Sequence, residues 1–275
     1  MKDNALHRDE KTGIIYKRWA CPSPNAIFLL VHGLGAFSGR WDLLSDFFLQ
    51  KDISSYAIEL KGFGETKDLK GHIDSFDIYF NDIRSLYDII KRENSEKKIF
   101  LIGESMGALI SFLLAGLRPD LFDGVICISA AFKSRLKFSL LDYIKIFVFM
   151  MFNPKKQLKM HFNSQMCTRD VDCQKAMDTD EREHRFATPK LLLNIFLAQM
   201  RVNSLKNKIK MPTLFLVAGD FDALTDPEEV KRVFKGLKTE DKEIIRYPQM
   251  YHSLSVELGR EKIFGDILKW VNKRI

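Results

Sequence analysis

Along the chain, short continuous apolar runs alternate with longer stretches in which apolar positions return every three or four residues. The runs at 26–31, 54–58, 98–102, 125–129, 213–218 and 243–247 predict strands. Several are apolar at consecutive positions, as parallel strands covered on both faces are. The stretch 78–91 places Ile78, Ile83, Leu86, Tyr87 and Ile90 on one helical face, and 106–117 follows a strand directly. A third helix, 227–237, opens on Pro227 after Asp226, and a fourth spans 256–271. Strand and helix in alternation predict an α/β protein with a mainly parallel sheet flanked by helices.

One interval breaks this rhythm. Residues 133–208 read as helical and carry no turn-rich linker, which predicts an inserted helical cap on a core formed by 1–132 and 209–275. A structureless loop of that length would be out of place in a compact domain. Within the insert, 133–160 hold seven basic residues against the single acid Asp142, a net +6 out of the chain's +7. They border the most apolar stretch of the protein, 138–152. Leu140, Ile144, Phe147 and Met151 form one stripe, while Val148, Phe149, Met150 and Phe152 spread the apolar surface nearly all round. Such a helix must be buried in something. Three readings compete: a roof packed on the core, an acyl pocket with Phe147 and Met151 as substrate contacts, and docking on an anionic membrane surface. Packing and an acyl pocket are preferred. A membrane-spanning helix is excluded by length and by Asp142 and Lys145 within the run.

Composition narrows the picture further. A chain of 275 residues that is 46% hydrophobic and 29% charged is globular rather than disordered, and needs no staple to fold. Basic residues bordering an apolar helix, with no recognition motif, argue against nucleic acid as a partner. Cys21, Cys127, Cys167 and Cys173 form no C-x-x-C pair and no zinc-ligand grouping, and Cys127 reads as a small buried thiol. The first ten residues are charged and lack an apolar signal-peptide core. The expectation is a reducing, cytoplasmic setting, with at most peripheral membrane contact. The acidic run 178–183 reads as a solvated face, and its carboxylates near His161 and His184 lack metal-ligand spacing, so no metal is expected.

The sharpest chemical signal is Gly103-Glu104-Ser105-Met106-Gly107, a G-x-S-x-G run between a predicted strand and a predicted helix. That context fits a nucleophile elbow, in which the serine sits on a tight turn and the helix N-terminus favours developing negative charge. A serine hydroxyl needs a positioned base, itself oriented by an acid. Downstream, His252 follows the strand 243–247, and Asp220, Asp222 and Asp226 crowd the loop after the strand 213–218. Both loops lie where a parallel sheet delivers residues to its carboxyl edge. His252 is the only histidine after His184, so the base has little competition, whereas the acid stays open among the three aspartates.

Three motifs carry a family resemblance: Val31-His32-Gly33-Leu34-Gly35 with Ser38-Gly39-Arg40-Trp41, Gly103–Gly107, and Gly219-Asp220-Phe221-Asp222 with Tyr251-His252. On these the chain resembles the α/β-hydrolase superfamily, and within it the monoacylglycerol lipase/lysophospholipase group of serine hydrolases. The resemblance implies an α/β-hydrolase fold, selects Asp222 as the acid, and points to the backbone N–H groups of Leu34 and Met106 as the oxyanion hole. It implies that His32 supports its loop. It also implies hydrolysis, without metal or organic cofactor, of the carboxylic ester of a lipid with one acyl chain, a monoacylglycerol or a lysophospholipid. A short-chain carboxylesterase, a peptidase on the same fold, and a non-catalytic sensor of a hydrophobic ligand are the alternatives. Where relatives carry an acidic residue and a histidine this chain has Ala36-Phe37, and where they carry aspartate and arginine it has Glu59 and Lys61, which leaves the head group open.

Overall fold

The computed structural model describes residues 5–136 and 138–275. Residues 1–4 and Lys137, the latter one of the insert's basic residues, lie outside the described residues. The chain begins with β1 (Leu6–Arg8), β2 (Ile15–Trp19) and β3 (Ala26–Val31), then α1 (Asp42–Leu49) after a short 3-10 turn at Ser38–Trp41. It continues through β4 (Ile53–Glu59), α2 (Phe76–Glu93), β5 (Ile99–Glu104), α3 (Met106–Leu117) and β6 (Gly124–Ile128). Between β6 and the next strand of the sheet come α4 (Leu140–Phe152), β7 (Leu158–Lys159), α5 (Ser164–Cys167), α6 (Val171–Thr179), β8 (Phe186–Ala187) and α7 (Pro189–Leu205). The core resumes with β9 (Thr213–Ala218), α8 (Pro227–Lys235), β10 (Lys242–Tyr247) and α9 (Arg260–Asn272).

Among the described residues eight strands form one sheet in the order β1-β2-β4-β3-β5-β6-β9-β10. β1 and β2 run antiparallel, and every pairing from β4 to β10 is parallel. The central strands β3, β5, β6 and β9 are buried along their whole length, which is why their sequences are apolar at consecutive positions. Two apolar layers enclose the sheet. One holds α2, α3 and much of α7, and the other gathers Trp41, Phe48, Phe264 and Trp270 from α1, α9 and the turn before α1.

Several sequence expectations are corrected. The N-terminal hairpin β1–β2 and helix α1 are additions to the predicted elements; β1 is three residues long and mostly exposed, whereas α1 does repeat Leu44, Phe47 and Phe48 at helical spacing. The last helix starts at Arg260 rather than at 256, because Gly259 takes a left-handed φ of 82° and residues Leu254–Val256 form a separate 3-10 turn. α4 is not buried as its all-round hydrophobicity predicts. A capping box on Ser139 and Asp142 starts it, yet none of its residues is buried. All four cysteines are free thiols. Among the described residues no helix is long and apolar enough to cross a membrane.

Candidate active site

β5 ends in Glu104, and the backbone turns sharply through Ser105 at φ 57°, ψ −118° before α3 begins at Met106. A positive φ at a non-glycine residue is strained, and the surroundings hold it: Ser105 N–H donates to the Ile128 carbonyl at 2.9 Å, and the Ser105 carbonyl accepts from Ala131 at 3.1 Å. Gly103 and Gly107 make the turn possible. A Cβ on Gly103 would collide with the backbone of Gly107, and one on Gly107 with the carbonyls of Val31 and His32.

Of the three aspartates after β9, Asp222 alone reaches the histidine. Its Oδ1 and Oδ2 lie 3.1 and 3.0 Å from His252 Nδ1. Asp220 is 77% exposed and pairs with Arg246, while Asp226 caps α8 by accepting from Glu228 N–H. Asp222 also accepts from Leu224 N–H at 2.8 Å, Thr225 N–H at 3.0 Å and Thr225 Oγ1 at 2.7 Å. Burial pushes its carboxyl up, but the His252 charge and the hydrogen bonds from His252 and Thr225 outweigh burial and hold it at about 2. His252 is buried as well. Burial pushes it down, and the Asp222 charge, the Asp222 hydrogen bond and the charge of Glu104 together raise it above the ordinary histidine value. The pair therefore has an ionised acid holding one ring nitrogen of His252.

Ser105 and His252 line one cavity of about 660 Å³ with Leu34. Among the described residues no backbone or side-chain acceptor takes the Leu34 N–H, and Met106 sits in the first turn of α3, where N–H groups lack intrahelical partners. His32 supports this loop: its Nε2 accepts from Leu60 N–H at 3.1 Å and its Nδ1 lies 2.9 Å from the Gly33 carbonyl. Away from the serine the wall is apolar, with Leu136, Phe138, Ile146, Met150, Leu192 and Ile195.

Phe147 borders the cavity, but Met151 does not; it is 66% exposed. Apart from Phe147 the predicted stripe is one helical step out of phase, since Tyr143, Ile146, Phe147 and Met150 of α4 border the cavity, Tyr143 and Phe147 at its exposed rim. The acidic run 178–183 is corrected at one position. Glu183 is not a solvated acid: its side chain is 9% exposed and paired with the buried Arg40, and both border the cavity. Arg40 stood inside a quoted motif without a role, and nothing around Glu183 in the sequence separates it from its exposed neighbours. Glu104, the variable residue of the G-x-S-x-G run, also went unassigned. Its buried carboxylate accepts from Ser255 N–H at 3.0 Å and Ser255 Oγ at 2.8 Å, tying the elbow to the turn after His252. Among the described residues no cluster of His, Cys, Asp or Glu could hold a metal ion.

A parallel sheet with a strained serine between β5 and α3, and a histidine and an aspartate on the loops after β10 and β9, defines the chain as an α/β-hydrolase. More narrowly, it belongs to the Hydrolase_4 family, described as serine aminopeptidase, S33, whose pattern matches residues 22–259. The chain is 26% identical over 270 residues to a monoglyceride lipase of Mus musculus, covering 95% of this chain and 88% of that one. It is 25% identical over 251 residues to phospholipase YtpA of Bacillus subtilis, covering 90% and 95%. A monoacylglycerol lipase structure from Paleococcus ferrophilus superposes with a TM-score of 0.85 at 26% identity, over 95% of this chain and 99% of that one. These likenesses place the chain among the carboxylic ester hydrolases.

Proposed function

We propose that the chain hydrolyses the carboxylic ester of a lipid with one acyl chain, a monoacylglycerol or a lysophospholipid, through an acyl-enzyme on Ser105. The observation that carries this reading is the single cavity in which Ser105 and the His252–Asp222 pair meet an apolar wall of acyl-chain character. Ser105 Oγ attacks the ester carbonyl while His252 takes its proton. Asp222 holds the imidazole and stabilises its charged form, and the Leu34 and Met106 amides receive the oxyanion. His252 then protonates the departing alcohol and activates a water, which releases the fatty acid. The cavity carboxylates Glu104 and Glu183 are engaged by Ser255 and Arg40, which leaves neither free for a substrate ammonium and favours an ester over an aminoacyl amide.

The test is hydrolysis by the wild type and Ser105→Ala over esters of increasing acyl length, with a monoacylglycerol, a lysophosphatidylcholine and an aminoacyl amide included. A Ser105-dependent optimum at long single chains is the expected result. Activity confined to short esters, or full activity in Ser105→Ala, would overturn it.

We propose, too, a cytoplasmic setting with reversible attachment to an anionic membrane. The support is the exposed apolar surface of α4, where Leu140 and Phe152 are 76% and 84% exposed, together with exposed Leu197 and Met200 on α7. Exposed Lys133, Lys145, Lys155, Lys156 and Lys159 lie within or beside α4 in the sequence. Each large apolar side chain moved from water into lipid is worth about 1.5–3 kcal/mol, and the basic rim adds attraction to anionic head groups. Phe152→Asp is expected to abolish co-sedimentation with phosphatidylserine-containing vesicles while activity on a soluble short ester stays near wild type; unchanged sedimentation refutes the attachment.

A further inference from the structure

We infer that Glu183, in the inserted segment, is a positioning residue for the loop that carries the Leu34 amide. The inference rests on the proposed role of that amide as an oxyanion donor.

The loop after β3 is irregular. Its own backbone hydrogen bonds are few: Ala36 N–H to Gly33 at 3.3 Å, and Arg40 N–H to Phe37 at 3.1 Å. From the core side, Glu59 accepts Ser38 N–H at 2.6 Å. Three consecutive residues of the insert grip the same loop from the other side. The Arg182 guanidinium lies 4.1 Å from the centre of the Phe37 ring. Glu183 pairs with Arg40. His184 N–H donates to the Gly35 carbonyl at 2.8 Å. Gly35 has φ 81°, and a Cβ there would stand 2.7 Å from the His184 carbonyl oxygen, so the two backbones meet where only glycine fits without displacement.

The Arg40–Glu183 pair is largely removed from water on both sides, at 12% and 9% side-chain exposure. Taking one partner from a buried pair leaves an uncompensated charge, and the remaining group then moves to find water or another partner. Arg40 belongs to the 3-10 turn six residues beyond Leu34, so its displacement pulls on the donor loop. An oxyanion donor acts only at the position where the negative charge develops, and a displaced donor forfeits part of its worth. Glu183 does not need to touch the substrate to matter. It fixes where the loop stands.

The experiment compares wild type, Glu183→Gln and Glu183→Asp on a soluble ester. It adds two ligands: a non-hydrolysable ether analogue of the substrate, and an alkyl trifluoromethyl ketone. With the ketone, Ser105 Oγ bonds to the carbonyl carbon, its proton passes to His252, and the C=O π pair becomes an oxyanion. For Glu183→Gln we expect kcat to fall about tenfold to a hundredfold, short of the loss of a whole donor. Ketone affinity should fall by the same factor, with KM and ether affinity within about twofold of wild type. Glu183→Asp should recover most of the loss. Phe37→Leu, which removes a different grip on the same loop, should show the same split at smaller size and serves if Glu183→Gln does not fold. A rise in KM matched by loss of ether affinity, with kcat unchanged, would make Glu183 a substrate contact and overturn the inference. So would wild-type behaviour of Glu183→Gln. Either of these with Ser105→Ala inactive leaves the proposed function standing, whereas an active Ser105→Ala removes the proposed function itself.

Discussion

Helices α3 and α4 are nearly equal in length, twelve and thirteen residues, and both are apolar around most of their circumference. α3 buries every residue but its last, between the sheet and α7, whereas α4 buries none. Hydrophobicity sets how strongly a helix is driven out of water, and the surroundings decide what receives it. For α3 the receiver is the folded core, so its apolar surface stabilises the fold and holds the serine turn rigid. α4 turns one face to the cavity and offers the other outward, where a lipid surface is the proposed receiver. The same composition thus serves stability in one place and contact in the other.

The largest effect expected lies on the rigid side. Asp222→Asn should lower kcat about 10³- to 10⁴-fold, as loss of the orienting acid does in such triads. With His252 as the proposed base the neutral imidazole is the active form, so kcat/KM should fall on the acid side as His252 protonates, with a midpoint above the ordinary histidine value because Asp222 raises it. Asp222→Asn removes that charge, and the midpoint should move down. A pH–rate profile that keeps its midpoint in the variant would detach His252 from the acid limb. Next in size is a paired truncation. Phe112→Ala on α3 should destabilise the protein by about 3–5 kcal/mol in chemical denaturation. Phe152→Ala on α4 should stay within about 0.5 kcal/mol of wild type. Equal losses in the two variants would mean that α4 is part of the core after all.

The contrast also marks what was legible in the sequence. Consecutive apolar residues give the central strands because burial on both faces leaves no polar positions. Strand–turn–helix context around Ser105 and the loops after β9 and β10 mark the candidate site, since those features are local. The choice of Asp222 needed either the family resemblance or the geometry, because three aspartates share one loop. β1 and β2 were hidden, being short and stabilised by pairing with each other and, for β2, with β4, rather than by their own pattern. Glu183 was hidden for a similar reason: its partner Arg40 lies 143 residues away, and no spacing rule reaches so far. Long-range pairing of polar groups leaves no periodic trace.

The finest test of the two faces of α4 uses neighbouring methionines. Successive helical residues are rotated by about 100°, enough to put Met150 on the cavity wall and Met151 in solvent. Met150→Trp inserts bulk where a long acyl chain would run, so the ratio of kcat/KM for long against short soluble esters should fall at least about tenfold, the low end of what one methylene is worth in an apolar site. Met151→Trp should leave that ratio unchanged on soluble substrates, and on vesicles should leave binding intact or strengthen it, because tryptophan suits a membrane interface. A shift of the chain-length ratio by Met151→Trp as large as by Met150→Trp would show that α4 does not stand as a wall with an inner and an outer face. Its apolar circumference would then act as one adaptable surface, and the distinction drawn between pocket and docking face would fail.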